Sequence, residues 1–257
     1  MGIVAVSGTS TGVGKTVTIA AIAALAEKRG MAVAVVKVAQ TGLRAGEPGD
    51  LAEVERLAPG VATYEYARYA DALSPEAAAR HAADRALGLT AVAKGVAALG
   101  AEFDLVLVEG TGSLLERFGP DGWTIAELAW SVQAPVLLVT DSGRDAPSHI
   151  ALAVELLTIR GIRFAGLVIG SWPRNPDRVA RSNVADFECV TGRPLAGVLP
   201  VGAPAASRSH DARCTSEDDV FLALAHAGLD AAWGGGFDAA AFRDRADPTP
   251  AGTSITG

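Results

Sequence analysis

Short, nearly continuous apolar runs recur along the chain at residues 3–6, 32–36, 105–108, 136–139, 164–169 and 195–199. Runs that stay apolar at consecutive positions, rather than alternating, are the mark of strands covered on both faces. Between them lie stretches with helical spacing at 15–28, 51–57, 75–86, 91–99, 124–132, 147–159 and 176–190. Strand and helix alternate throughout, which predicts a single α/β domain with a mostly parallel sheet and helices on both faces. In such sheets ligands sit beyond the carboxyl ends of the strands. The last segment breaks the pattern. Residues 1–232 read as the domain and 233–257 as a C-terminal extension, opened by Gly234-Gly235-Gly236. A short helix is predicted at 239–245, and disorder over about the final ten residues.

The first apolar run leads into Gly8-Thr9-Ser10-Thr11-Gly12-Val13-Gly14-Lys15-Thr16 and then into an alanine-rich helix. A strand, a glycine-rich loop and a helix N-terminus aim backbone N–H groups and positive potential at an anion. Lys15 has the place of a lysine that reaches β- and γ-phosphates, and Thr16 that of a hydroxyl that ligates Mg²⁺. This predicts a nucleoside-triphosphate site on a P-loop fold, with Gly12, Val13, Gly14, Lys15, Thr16 and Val17 around the phosphates. The loop is one residue longer than the usual pattern, because five residues rather than four separate Gly8 from Gly14.

A phosphate-bound metal needs carboxylates besides Thr16. Two apolar strands end in an acid: Leu105 to Glu109, followed by Gly110-Thr111-Gly112, and Val136 to Asp141. Either acid fits an ordinary helix cap as well. Glu109 is the stronger metal candidate, since its glycine-rich sequel lets backbone approach a ligand closely. Lys37 ends the second strand, where it either runs out to solvent or joins Lys15 at the transferred phosphate. Asp50 opens a helical stretch, a position suited to capping and to metal binding alike.

Composition narrows the partners. There are 22 Lys and Arg against 29 Asp and Glu, for a formal net charge of −7. With no basic cluster, the chain is not expected to bind nucleic acid or an anionic membrane surface. No apolar run has the length of a membrane span, and the N-terminus lacks the pattern of a secretion signal. Cys189 and Cys214 lack metal-ligand spacing, and idle thiols in a reducing compartment point to the cytoplasm. His81, His149, His210 and His226 are scattered, with no pair at metal-ligand spacing.

The ordered set of motifs resembles the dethiobiotin synthetase family. The nine-residue loop is similar to that family's phosphate loop, extra residue included. Val36-Lys37-Val38-Ala39-Gln40-Thr41-Gly42 is similar to its Lys-Pro-x-x-Ser/Thr-Gly segment, and Ser74-Pro75, Leu107 to Gly112, Ala165 to Ile169 and Gly197 to Pro200 follow in order. The resemblance runs to about Leu229. It implies an ATP- and Mg²⁺-dependent ligase that takes 7,8-diaminopelargonate and CO₂ to dethiobiotin as a homodimer. It also implies roles. Thr16, Asp50 and Glu109 would bind Mg²⁺. Lys37 and Lys15 would be catalytic. Thr11, Thr41, Arg144 and Ser148 would meet substrate, the last two through a helix start that reads the substrate carboxylate across the dimer. Glu109 to Gly112 would line the floor, and Gly170, Ser171, Pro200, Val201 and Gly202 would lie near the base. The sequence departs from the family at Val38 (usually Pro), at Thr111 and Ser113, at Arg144-Asp-Ala-Pro-Ser-His149 (usually Leu-Gly-x-x-Asn-His), and at Gly170 (often Asn), which implies loose base preference.

Two other classes compete. Switch ATPases of the partitioning and septum-site type carry a lysine five residues before the loop lysine, where this chain has Ser10. Cobyrinate-amidating ligases of the same superfamily usually need a glutaminase domain, for which 257 residues leave no room.

Overall fold

The structure, a computed structural model, describes residues 2–83, 87–119, 121–203 and 217–246. The main elements are β1 (Gly2–Gly8), α1 (Lys15–Lys28), β2 (Val33–Lys37), β3 (Gln40–Thr41), α2 (Asp50–Leu57), β4 (Ala62–Glu65), β5 (Arg68–Tyr69), α3 (Pro75–His81), α4 (Leu89–Glu102), β6 (Leu105–Ser113), α5 (Ile125–Ser131), β7 (Val136–Thr140), α6 (Ala146–Ile159), β8 (Phe164–Trp172), α7 (Arg178–Thr191), β9 (Gly197–Pro200), α8 (Glu217–Gly228) and α9 (Ala239–Ala246). Among the described residues, seven strands form one sheet in the order β4-β2-β6-β1-β7-β8-β9. Every pairing in it is parallel, so the sheet is more uniformly parallel than the mostly parallel one the pattern predicts.

The continuous apolar runs have the expected cause. Val4 and Val6 of β1, Leu105 and Leu107 of β6, and Leu137 and Val139 of β7 face one core layer, which α1 and α8 cover. Ala5, Val106, Val108 and Leu138 face the other, under α4, α5 and α6. Successive strand side chains point to opposite faces, so a strand buried on both sides has no polar alternation to show. The alanines of α1 let it lie close against the sheet: Ile19 to Ala26 are all buried.

Several boundaries differ from the sequence expectation. The third helix ends at His81, with Ala83 at φ 51, rather than running to 86; residues 84–86 lie outside the described set. Helix α4 is longer than 91–99 at both ends, and α6 begins at Ala146. Helix α7 begins at Arg178 rather than 176, because Asp177 caps it by accepting from the Ala180 N–H at 2.8 Å. Strands β3, β4 and β5 were not foreseen. Strand β4 is a half-exposed edge strand, without the apolar run that marks the central strands. Helix α9 docks on α7 through Arg243 to Glu188 at 2.8 Å, while Phe242 meets the Trp172 ring edge-on with centroids 5.1 Å apart. The predicted disorder of the tail falls on residues outside the described set.

Helix α5 opens with a reciprocal cap. The Thr124 hydroxyl accepts from Ala126 N–H at 3.2 Å, and Glu127 accepts from Thr124 N–H at 2.8 Å. Burial would raise the Glu127 carboxyl, but the Thr124 donors and Arg160 outweigh it, and the net direction is down. The stabilisation is therefore present above the ordinary carboxyl value and is lost as pH falls through the lowered one. Thr124→Ala should cost about 1 kcal/mol, a drop of roughly 2–4 °C in melting temperature, measured by thermal denaturation at neutral pH.

Candidate functional site

The phosphate loop connects β1 to α1 at the carboxyl edge of the sheet, and glycine is required there by contact. Gly14 has φ 96, and a Cβ on it would lie 2.2 Å from the Gly170 carbonyl oxygen. A Cβ on Gly170 would in turn lie 2.3 Å from the Val13 carbonyl oxygen. Loop backbone and the end of β8 thus pack with no side chain between them. The extra loop residue leaves the first glycine essential, because a Cβ on Gly8 would lie 2.6 Å from the Ser10 carbonyl oxygen.

Lys15 is buried, and its ammonium donates to the carbonyls of Ser10 at 2.9 Å and Gly112 at 3.0 Å. Burial lowers its pKa; the Glu109 charge opposes that and the Lys37 charge adds to it. Lys37, at the end of β2, is only 3% exposed. Its ammonium donates to Glu109 Oε1 at 2.7 Å and pairs with Asp50 Oδ2. Burial alone would depress it, but the Glu109 and Asp50 carboxylates outweigh burial and hold the ammonium above its ordinary range.

Glu109 sits opposite both Val6 and Lys37 in the sheet register and is 1% exposed. Its Oε1 also accepts from the Thr16 hydroxyl at 3.0 Å. Its Oε2 is buried with no hydrogen-bond partner among the described residues. An uncompensated buried carboxylate oxygen is costly, and here it lies on the carboxylate that already binds the Thr16 hydroxyl and shares Lys37 with Asp50. These are hard oxygen donors of the type that hold Mg²⁺ together with substrate phosphates. No cluster of three or more His, Cys, Asp or Glu suited to a metal occurs among the described residues.

The cleft over these groups has a volume of about 380 Å³, within the ~300–1,000 Å³ typical of small-molecule sites. Of the residues singled out in the sequence, Thr11, Gly12, Gly14, Lys15, Thr16 and Val17 line one wall; Lys37, Thr41, Asp50, Glu109, Thr111 and Gly112 line the other. Gly110 faces inward instead, against Ile125, and Val13 is buried beneath the loop. Asp141 does not join the cleft wall; it accepts from Gly143 N–H at 2.8 Å as a turn cap. Gly170, Ser171, Pro200, Val201 and Gly202 stand at the ends of β8 and β9, across β1 from Lys37. Arg144 and Ser148 are exposed at the start of α6, outside the cleft wall. Beside them an apolar groove of about 180 Å³ runs between Leu115, His149 and Leu152, reaching Thr9 of the phosphate loop. The sequence reading missed Gln40, which lines the cleft and accepts from Asp50 N–H at 2.9 Å. Its only signal was a place within the Lys37–Gly42 segment.

A loop lysine and hydroxyl at a helix start, beneath a parallel sheet and beside a buried acid of the neighbouring strand β6, define a P-loop nucleotide-binding fold. Solved structures agree on the fold: a MinC:MinD cell division protein complex from Aquifex aeolicus superposes with a TM-score of 0.55 at 14% identity over 86% of this chain and 93% of that one. The Pyrococcus furiosus cell division ATPase MinD does so with 0.51 at 18% identity over 88% and 97%. A family described as an AAA domain matches residues 3–207. Among curated sequences, the ATP-dependent dethiobiotin synthetase BioD of Parafrankia sp. is 48% identical over 95% of this chain and 99% of its own. That of Streptomyces coelicolor is 44% identical over 96% and 100%. The chain belongs to the ATP-dependent dethiobiotin synthetase family, and it is a ligase.

Proposed function

We propose that this enzyme uses ATP and Mg²⁺ to carboxylate 7,8-diaminopelargonate with CO₂ and close the ureido ring of dethiobiotin. The observation that carries the reading is the convergence of Lys15, Lys37, Thr16, Asp50 and Glu109 on one cleft in a chain 48% identical to named synthetases.

One amine of the diamine attacks CO₂ and loses a proton, giving a carbamate. A carbamate oxygen then attacks the γ-phosphorus as the bond to the bridging oxygen of ADP breaks, giving a carbamic–phosphoric mixed anhydride. The second amine attacks the carbonyl carbon, expels phosphate and loses a proton as the ring closes. Such a sequence needs positioning and charge stabilisation more than covalent help from protein. Lys15, fixed by the Ser10 carbonyl of the phosphate loop and the Gly112 carbonyl of β6, holds the β- and γ-phosphates. Lys37 supplies positive charge to the carbamate and to the moving phosphoryl. Thr16, Asp50 and Glu109 hold Mg²⁺, which supplies charge neutralisation at the phosphate oxygens when bound. Thr11 and Thr41 contact the diamine, and Gly170, Ser171 and residues 200–202 flank the base.

The reading includes a homodimer across α6. Leu152 and Ile159 are 66% and 76% exposed on that helix, and Arg144 and Ser148 at its start would then meet the partner's substrate carboxylate. The switch-ATPase class shares the fold, but the exposed position five residues before Lys15 is Ser10 rather than lysine. An assay of phosphate release with and without diaminopelargonate and bicarbonate tests the proposal. Release is expected to depend on both, with dethiobiotin detected by mass spectrometry. Release that ignores the diamine, with no dethiobiotin formed, overturns the proposal. No helix among the described residues is long and apolar enough to cross a membrane.

A further inference from the structure

Asp50 begins α2, and its carboxylate reaches out of the helix to pair with Lys37 of β2. Its N-cap is Gly49, which has no side chain to cap the helix, and the Asp50 carboxylate is about one-third exposed. A carboxylate on a glycine-rich loop needs outside support to keep a fixed place.

That support comes from the small second sheet. Gln40 of β3 and Arg68 of β5 are register partners. The buried Gln40 amide accepts from Asp50 N–H at 2.9 Å, so it caps the helix from ten residues upstream. Arg68 is held in a two-point fork by Glu65, at 2.7 and 2.8 Å. Its remaining nitrogen donates to the Glu47 carbonyl at 2.7 Å. Gly49 packs against both side chains: a Cβ there would lie 2.7 Å from Gln40 Oε1 and 2.9 Å from Arg68 Nη2. Both side chains therefore hold the loop before Asp50.

We infer that Gln40 and Arg68 are positioning residues that set Asp50 for Mg²⁺. This rests on the reading of Asp50 as a metal ligand. Groups that orient a ligand typically tune metal affinity by about 10–100-fold. Arg68 does not line the cleft, so its loss should act on metal affinity and spare the reacting groups.

The test measures Mn²⁺ affinity by electron paramagnetic resonance in the full-length enzyme with a non-hydrolysable ATP analogue. It is paired with the Mg²⁺ dependence of turnover. Gln40→Ala and Arg68→Ala should each weaken Mn²⁺ binding about 10-fold and shift Mg²⁺ half-saturation to match. For Arg68→Ala, kcat at saturating Mg²⁺ should stay within about threefold of the parent, a split that a general loss of folding does not produce. Should Gln40→Ala fail to fold, Arg68→Ala carries the test alone. Asp50→Asn separates the two levels. If it weakens Mn²⁺ binding while both positioning variants bind as the parent does, the positioning role is overturned and the ligand reading stands. If Asp50→Asn binds Mn²⁺ unchanged, the ligand reading fails and the positioning role falls with it.

Discussion

Lys37→Ala is expected to lower turnover by about 10²–10³-fold, the usual cost of removing one donor that meets developing charge. Nucleotide affinity should change by less than about threefold over the same comparison. The split follows from how the two lysines are held. Lys15 is held by the Ser10 carbonyl of the phosphate loop and the Gly112 carbonyl of β6, and it remains. Among the described residues, Lys37 is tied only to carboxylates, Glu109 and Asp50, and those are the proposed metal ligands. When a divalent cation takes up their charge, the ammonium is free for the phosphoryl. Steady-state phosphate release and calorimetric nucleotide binding check the two halves. Turnover equal to the parent's removes Lys37 from the mechanism.

Glu109→Gln is expected to have the largest effect on stability. The carboxylate is the main compensating charge for two buried ammonium groups, countering the desolvation of Lys15 and of Lys37. Breaking a buried ion pair from one side costs about 3–5 kcal/mol. The lower end applies here, because Asp50 still pairs with Lys37. At roughly 2–4 °C per kcal/mol for a chain of this size, the melting temperature should fall by about 6–12 °C. Thermal denaturation in the presence of a chelator reads this directly. A change smaller than about 2 °C would show that Glu109 does not balance those charges. Mg²⁺ should stabilise the parent and do so much less for the variant, since the orphaned Oε2 is the atom with most to gain from a cation.

Much of this site was legible in the chain because its parts are short and contiguous. The loop from Gly8 to Thr16 carries its own geometry: glycines where backbone must pass close, lysine and hydroxyl where the helix begins. Glu109 was readable as an acid following a doubly buried apolar run, although β6 continues past it to Ser113. The glycine-rich sequel already favoured Glu109 over Asp141, and sheet order supplies its contacts. Strand β6 lies beside both β1 and β2, which brings Glu109 against Thr16 and Lys37, while Asp141 turns back to cap its own loop. Gly170 looked like an ordinary substitution at a base-side position. In the fold its missing side chain is what admits the loop backbone at Val13 and Gly14.

The sequence by itself determined the parallel α/β architecture, the phosphate loop and the identity of the charged groups. Local periodicity and short-range geometry encode those things, and residues 15–28 needed no tertiary information to be read as a helix. Only the tertiary structure decided how the charges pair, that Lys37 stands between Asp50 and Glu109, and that Gln40 accepts from the Asp50 backbone while Arg68 donates to the Glu47 carbonyl. Strands of two and four residues carry too little periodicity to announce themselves. Hydrogen bonds such as that from Asp50 to Gln40 depend on where the chain returns in space. Lys37 and Glu109, 72 positions apart, meet because β2 and β6 are neighbours in the sheet.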